Sequence, residues 1–273
     1  MTAQRSTAAL KVSVAVIMLF QVSALFVREL VRLELTQAGT PPGTARYQSA
    51  WVGFLVLVML MWPYWRQHPS LLASEFRRPD SWLGLVLTSV AIGVSTRISS
   101  WGVTFVSASL PANTVQGKWT AVDTGLTWLC FDGGPLLLAV VTMALATPAI
   151  EEVINRSYIL GALVRKGIGF PLLYSAGLFA VLHRPDGMLV AFLFGIAVAV
   201  QKIHCRTLWG PVIAHGTFNM LYILDAHCLR YPAVESVLLT LPAFGLGSLG
   251  VGIGVAAFLL AVKIARWSGA AAP

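Results

Sequence analysis

Apolar residues in this chain come in long unbroken runs instead of the amphipathic patterns of a soluble fold. Eight runs are found, at Leu10–Val27, Trp51–Trp65, Trp82–Val106, Leu136–Val164, Phe170–His183, Met188–Val200, Leu208–Leu224 and Val237–Val262. A helix needs about 20 residues to cross the hydrocarbon core of a bilayer, so the pattern predicts an all-α polytopic transmembrane helical bundle of about eight spans. The third run, interrupted by Arg97, Ser99 and Ser100, can also be read as a shorter span followed by an interfacial segment.

Charge between the runs orients them. If every run crosses once, Arg5 and Lys11, then Arg66, Arg77 and Arg78, then Arg165 and Lys166, then Lys202 and Arg206, then Lys263 and Arg266 fall on one side. The positive-inside rule makes that side, and both termini, cytoplasmic. Arg28, Arg32 and Arg46 are exceptions on the other side, diluted by Glu29 and Glu34. Two outer connections are long, Arg28–Ala50 and Ser107–Gly134. The second carries Trp119 and Trp128, which read as interfacial anchors, with a lid as the alternative. The first run is too long for a signal-peptide core and reads as a retained helix.

Composition fixes the class. The chain has 57% hydrophobic and 11% charged residues and a mean hydropathy of +0.76, whereas about a quarter of the residues of a soluble domain are charged. Its 273 residues suit a single integral membrane domain, 1–273, within which 136–224 holds the candidate chemistry. The net charge of +8 is scattered, which fits anionic lipid headgroups of the bilayer and not nucleic acid. Cys130, Cys205 and Cys228 form no thiolate cluster. Cys130 and Cys228 share the outer side and could pair, but free cysteines are the expectation. His68, His204 and His227 sit at run ends or in loops and take no role. Arg97 reads either as snorkelling or as a substrate contact. Gly250-x-x-x-Gly254 reads as close helix packing.

The candidate chemistry lies in the apolar runs themselves. Glu151 and Glu152 are adjacent, with Arg156 four residues beyond the second. Ionisable groups in hydrocarbon each cost roughly 2.5–3.5 kcal/mol on insertion scales, so they mark a functional site by default. On a helix Glu152 and Arg156 share a face and can pair, while Glu151 points about 100° away and stays free to act as a general base. Pro148 predicts a break in the helix just before the two carboxylates. Downstream come Phe179 with His183, and His215 with Asn219, each pair four apart. At 1.5 Å per residue Glu151 and His183 each lie about 20 Å from the cytoplasmic ends of their runs, and His215 and Asn219 about 12 and 18 Å, so the four can meet at one level. His215 and Asn219 also face one way, as two donors to one oxyanion would.

Glu151-Glu152-x-x-x-Arg156, Phe179-x-x-x-His183 and His215-x-x-x-Asn219 resemble, in order, the three motifs of the CPBP family, which comprises CAAX prenyl endopeptidases and bacteriocin-processing and self-immunity (Abi) proteins. Leu208-Trp209-Gly210-Pro211 before the last motif is similar too. The resemblance covers about Leu136–Leu224. Asn155, where relatives usually carry an aromatic or aliphatic residue, departs from the pattern and could hydrogen-bond Glu151. The resemblance implies an intramembrane endopeptidase acting on a membrane-attached or lipidated protein or peptide. Glu151 and His183 would activate water, His215 and Asn219 would stabilise the oxyanion, and Glu152, Arg156 and Phe179 would support them. No cofactor is expected on this reading. Glu151, His183 and His215 also make a plausible zinc set, disfavoured because Arg156 already brings a positive charge there.

Other classes are a catalytically silent membrane scaffold or immunity protein, which would tolerate loss of Glu151, and a transporter, which would show matching interrupted repeats that this sequence lacks. Short loops and the absence of eukaryotic targeting signals make a bacterial inner membrane the default expectation, with the endoplasmic reticulum the alternative.

Overall fold

The computed structural model describes residues 13–67, 69–109, 127–128, 133–163, 169–183, 187–230 and 241–269. The described part of each of the eight apolar runs falls mainly on a helix. In chain order these are α1 (Val14–Gln37), α2 (Pro42–Gln67), the short α3 (Pro69–Glu75), α4 (Trp82–Ser109), α5 (Gly133–Leu163), α6 (Gly169–Val181), α7 (Met188–Cys205), α8 (Trp209–Cys228) and α9 (Leu241–Gly269). Strands β1 (Thr127–Trp128) and β2 (Leu229–Arg230) form a two-residue antiparallel pair. Arg5, Lys11, His68, Trp119, Cys130, Arg165 and Lys166 lie outside the described residues, as does the side chain of His227.

Among the described residues five helices are long and apolar enough to cross a membrane: α1, α2, α4 over Trp82–Val103, α5 and α7. Shorter apolar helices are α6 and the Gly247–Ala257 part of α9. Helix α8 has the length, but His215, Asn219 and Asp225 dilute its apolar character. Burial is inverted relative to a soluble protein: Leu19, Leu83 and Leu137 are 61%, 71% and 64% exposed, while Glu152, Arg156 and Gln201 are at most 1% exposed. Lipid is the solvent that such a surface suits, with polar groups satisfied inside.

The connection expected at Arg28–Ala50 is instead mostly helix. The i,i+3 pair of Glu29 with Arg32, at 2.9 Å from Nε to Oε2, carries α1 past its apolar run to Gln37. The chain then reverses over four residues, with Gly39 at φ 90°, a conformation glycine adopts without steric cost.

The break expected at Pro148 is also absent. Helix α5 runs through it and widens on either side of the carboxylate pair, into π-helical segments at Val140–Ala146 and Val153–Ile159. A π-turn absorbs a proline by rerouting the ladder. The Thr147 N–H and hydroxyl both reach the Thr142 carbonyl, the latter at 2.8 Å. The Met143 carbonyl thereby loses its α-helical donor, and its π-helical donor would be Pro148, which has no N–H.

Packing is closest where side chains vanish. A Cβ on Gly102 would stand 2.5 Å from the Val251 nitrogen, and one on Gly254 2.7 Å from the Ser95 carbonyl, so α4 and α9 meet through small residues as Gly250-x-x-x-Gly254 suggested. Cys228 is disulfide-bonded, against the expectation of free cysteines. Cys205 is free. Arg97 neither snorkels nor stands open: it is 8% exposed, pairs with Asp225 of α8, and lies over the rings of Trp101, Phe218 and Tyr222.

Candidate active site

Helix α5 supplies a carboxylate that two other groups share. Glu152 is fully buried; its Oε1 accepts from Nδ1 of His215 on α8 at 2.9 Å, and its Oε2 faces Nε of Arg156 at 3.0 Å. The Arg156 contact is an ion pair with poor hydrogen-bond alignment, and Nη2 of Arg156 has no partner among the described residues. Nη1 of Arg156 donates to Ser175 Oγ on α6 at 3.2 Å, and that hydroxyl donates to the Asn155 carbonyl at 3.3 Å. Two buried charges and a histidine thus settle their desolvation cost against one another.

Helix α6 spans 13 residues, about 20 Å at 1.5 Å per residue and shorter than the hydrocarbon core. Its C-terminal end therefore delivers Phe179 and His183 to the interior of the bundle. Phe179 is 2% exposed and central: its ring meets the His183 ring at 4.6 Å, the His215 ring edge-on at 5.9 Å and the Arg156 guanidinium at 5.1 Å. The His183 backbone N–H closes a turn on Ala180 at 2.9 Å, and its Nδ1 lies 2.8 Å from the Phe179 carbonyl. A carbonyl only accepts, so Nδ1 carries the proton and Nε2 keeps a lone pair in the neutral ring.

Helix α8 carries His215 and Asn219 four apart, and both turn toward α5. Asn219 Nδ2 donates to the Met143 carbonyl at 2.7 Å, the group that Pro148 and the π-turn leave without a backbone donor. Pro148 thus acts at a distance, by creating the acceptor that seats Asn219. Gly216 lets the two helices close, since a Cβ there would lie 2.7 Å from the Ala144 carbonyl. The Leu208-Trp209-Gly210-Pro211 segment fixes the start of α8: Leu208 N–H donates to the Glu75 carbonyl at 2.8 Å and Trp209 Nε1 to the Phe76 carbonyl at 3.0 Å.

The structure therefore joins Glu152, Arg156, Phe179, His183 and His215 in one contact network, with Asn219 one helical turn from His215. Glu151 stands at its edge, half-buried, and no hydrogen bond joins its carboxylate to His183 among the described residues. The Asn155 side chain does bond Glu151, at 2.7 Å, but on the backbone carbonyl, so the carboxylate stays unengaged by it. Among the described residues no group of three His, Cys, Asp or Glu side chains is placed to hold a metal ion. Sequence reasoning missed Ser175 and Phe194. Phe194 of α7 packs edge-on to the His215 ring at 5.3 Å, and a lone serine or phenylalanine in an apolar run carries no signal of such a role.

Residues 133–221, about a third of the chain, match the model of the family described as type II CAAX prenyl endopeptidase Rce1-like. The matched segment contains all three motifs. No curated protein and no solved structure matches the chain.

Proposed function

We propose, from the match of residues 133–221 to the model of the type II CAAX prenyl endopeptidase Rce1-like family, an integral membrane endopeptidase. It would hydrolyse a peptide bond of a membrane-attached or lipidated protein or peptide, using water activated by Glu151 and His183. The single observation that carries this reading is the Glu152–His215 contact at 2.9 Å, because it ties two of the three motifs into one buried site.

The proton path follows from the tautomers. With Nδ1 of His183 donating to a carbonyl, Nε2 is the proton acceptor for an attacking water, and Glu151, the carboxylate without a hydrogen-bond partner among the described residues, is the second acceptor beside it. The tetrahedral oxyanion needs donors. Asn219 keeps one amide hydrogen after the bond to Met143. His215 donates a hydrogen bond from Nδ1 to Glu152, so Nε2 is a second donor when the ring carries both protons. The leaving amine then takes the proton that Glu151 or His183 accepted. No step runs through a metal.

The test is cleavage of a pool of membrane-anchored and lipidated peptides by the purified full chain, read by mass spectrometry for native, Glu151→Gln and EDTA-treated protein. Products that persist in EDTA and disappear in Glu151→Gln support the reading. Products that EDTA abolishes and zinc restores would overturn the metal-free mechanism, and products unaffected by Glu151→Gln would overturn the role of that residue.

A further inference from the structure

Arg28 lies outside the family-matched segment and was an awkward exception to the positive-inside pattern. Its place in the bundle gives it a function. Ile17, Gln21 and Ala24 form the buried face of α1, and Arg28 continues that stripe at i+4 from Ala24. The same face packs with Val153, Ile154 and Tyr158 of α5, and with Leu57 and Met61 of α2, in one apolar cluster.

Register places the cation beside the stretch of α5 that carries the carboxylate pair. Trp51 of α2 donates to Thr142 of α5 at 2.9 Å, and Leu57 shares the cluster with Val153. Gly53 lies between these two tie points, so it stands beside the stretch of α5 between Thr142 and Val153. A Cβ on Gly53 would be 3.1 Å from Arg28 Cβ and 3.6 Å from its Cδ. The missing side chain at Gly53 is the notch across which Arg28 runs.

Arg28 is half-buried there and within electrostatic reach of Glu151. The neighbouring Glu29 is occupied by Arg32, and no carboxylate hydrogen-bonds Arg28 among the described residues. Charge balance points the same way. Glu152 is matched by Arg156, so an ionised Glu151 has no cation of its own within α5.

Resting on the reading of Glu151 as a base, we propose that Arg28 is a positioning residue of the site, whose guanidinium holds the Glu151 carboxylate in its charged, proton-accepting form. The charged and titratable groups on the elements packed around Glu151 include Arg28 of α1, Arg46 of α2, Glu152 and Arg156 on its own helix, His183 of α6 and His215 of α8. Removing Arg28 takes away a positive charge without dismantling the Glu152–Arg156–His215 cluster.

The experiment compares native, Arg28→Gln, Arg28→Lys and Glu151→Gln full-length protein on one cleavable peptide from the pool, as kcat and KM across pH. Arg28→Gln is expected to lower kcat about tenfold near neutral pH with KM within twofold, about 1.4 kcal/mol in the barrier. Arg28→Lys keeps the charge and is expected to stay within threefold of native. A native kcat in Arg28→Gln, with Glu151→Gln inactive, overturns the inference and leaves the Glu151 reading standing. An active Glu151→Gln overturns that reading first. If Arg28→Gln does not fold, Arg28→Lys decides: a folded variant slowed more than tenfold contradicts a role based on charge.

Discussion

Glu152 holds His215 by its Nδ1 proton across 2.9 Å, with the two side chains 0% and 5% exposed. One helix thereby fixes the ring of a histidine on another. Because Oε2 faces Arg156 at 3.0 Å, neutralising the carboxylate leaves a buried guanidinium without its anion. Glu152→Gln should cost about 3–5 kcal/mol of stability, the range for breaking a buried pair from one side. It should also slow turnover more than a simple loss of packing would. Thermal unfolding in detergent, read beside peptide cleavage, checks both.

Asn219 is seated by an acceptor that α5 creates for it. Asn219→Leu removes that donor from the Met143 carbonyl, at a cost of about 1 kcal/mol. If Asn219 also serves the oxyanion, turnover should fall about 10²- to 10³-fold with KM little changed. Steady-state kinetics on a cleavable peptide separate the two effects.

How much of this was legible in the sequence depends on which interaction wrote each feature. Unbroken apolar runs located every long helix, because in lipid each backbone group must bond within its own segment. Spacing four apart correctly paired Glu152 with Arg156. The same logic went wrong at Pro148, where a break was expected. A proline removes one donor, but the sequence does not say whether the ladder stops or widens into a π-turn, and here Asn219 meets the stranded Met143 carbonyl. Nor could it see that Arg97 and Asp225, 128 positions apart, meet between helices. Partners at that separation are set by the bundle and not by local pattern.

Gly216 separates α8 from the Ala144 carbonyl by less than a methyl group requires. Gly216→Val should therefore push α8 away, destabilising by about 1–3 kcal/mol, as overpacking does. It should also lengthen the Asn219–Met143 contact. Turnover should drop along with melting temperature. Native activity in a destabilised Gly216→Val protein would contradict the tight coupling of α8 to α5.

Arg97 belongs to a second polar cluster, with Asp225 and the indole of Trp101 at 3.3 Å. Its role is to tie α4 to α8. Arg97→Met should lower stability by about 3–5 kcal/mol by taking the cation from a largely buried carboxylate. Cleavage by the protein that remains folded should be affected less than by loss of Glu151. Melting curves paired with activity per folded molecule check this.

Glu151 as the proton acceptor for water is the central assignment. The measurement is binding and cleavage of one peptide by native and Glu151→Gln protein reconstituted in liposomes. Glu151→Gln is expected to bind the peptide within a fewfold of native and to cleave it about 10²- to 10⁴-fold more slowly, the range for loss of a general base. Cleavage within tenfold of native by Glu151→Gln would contradict it.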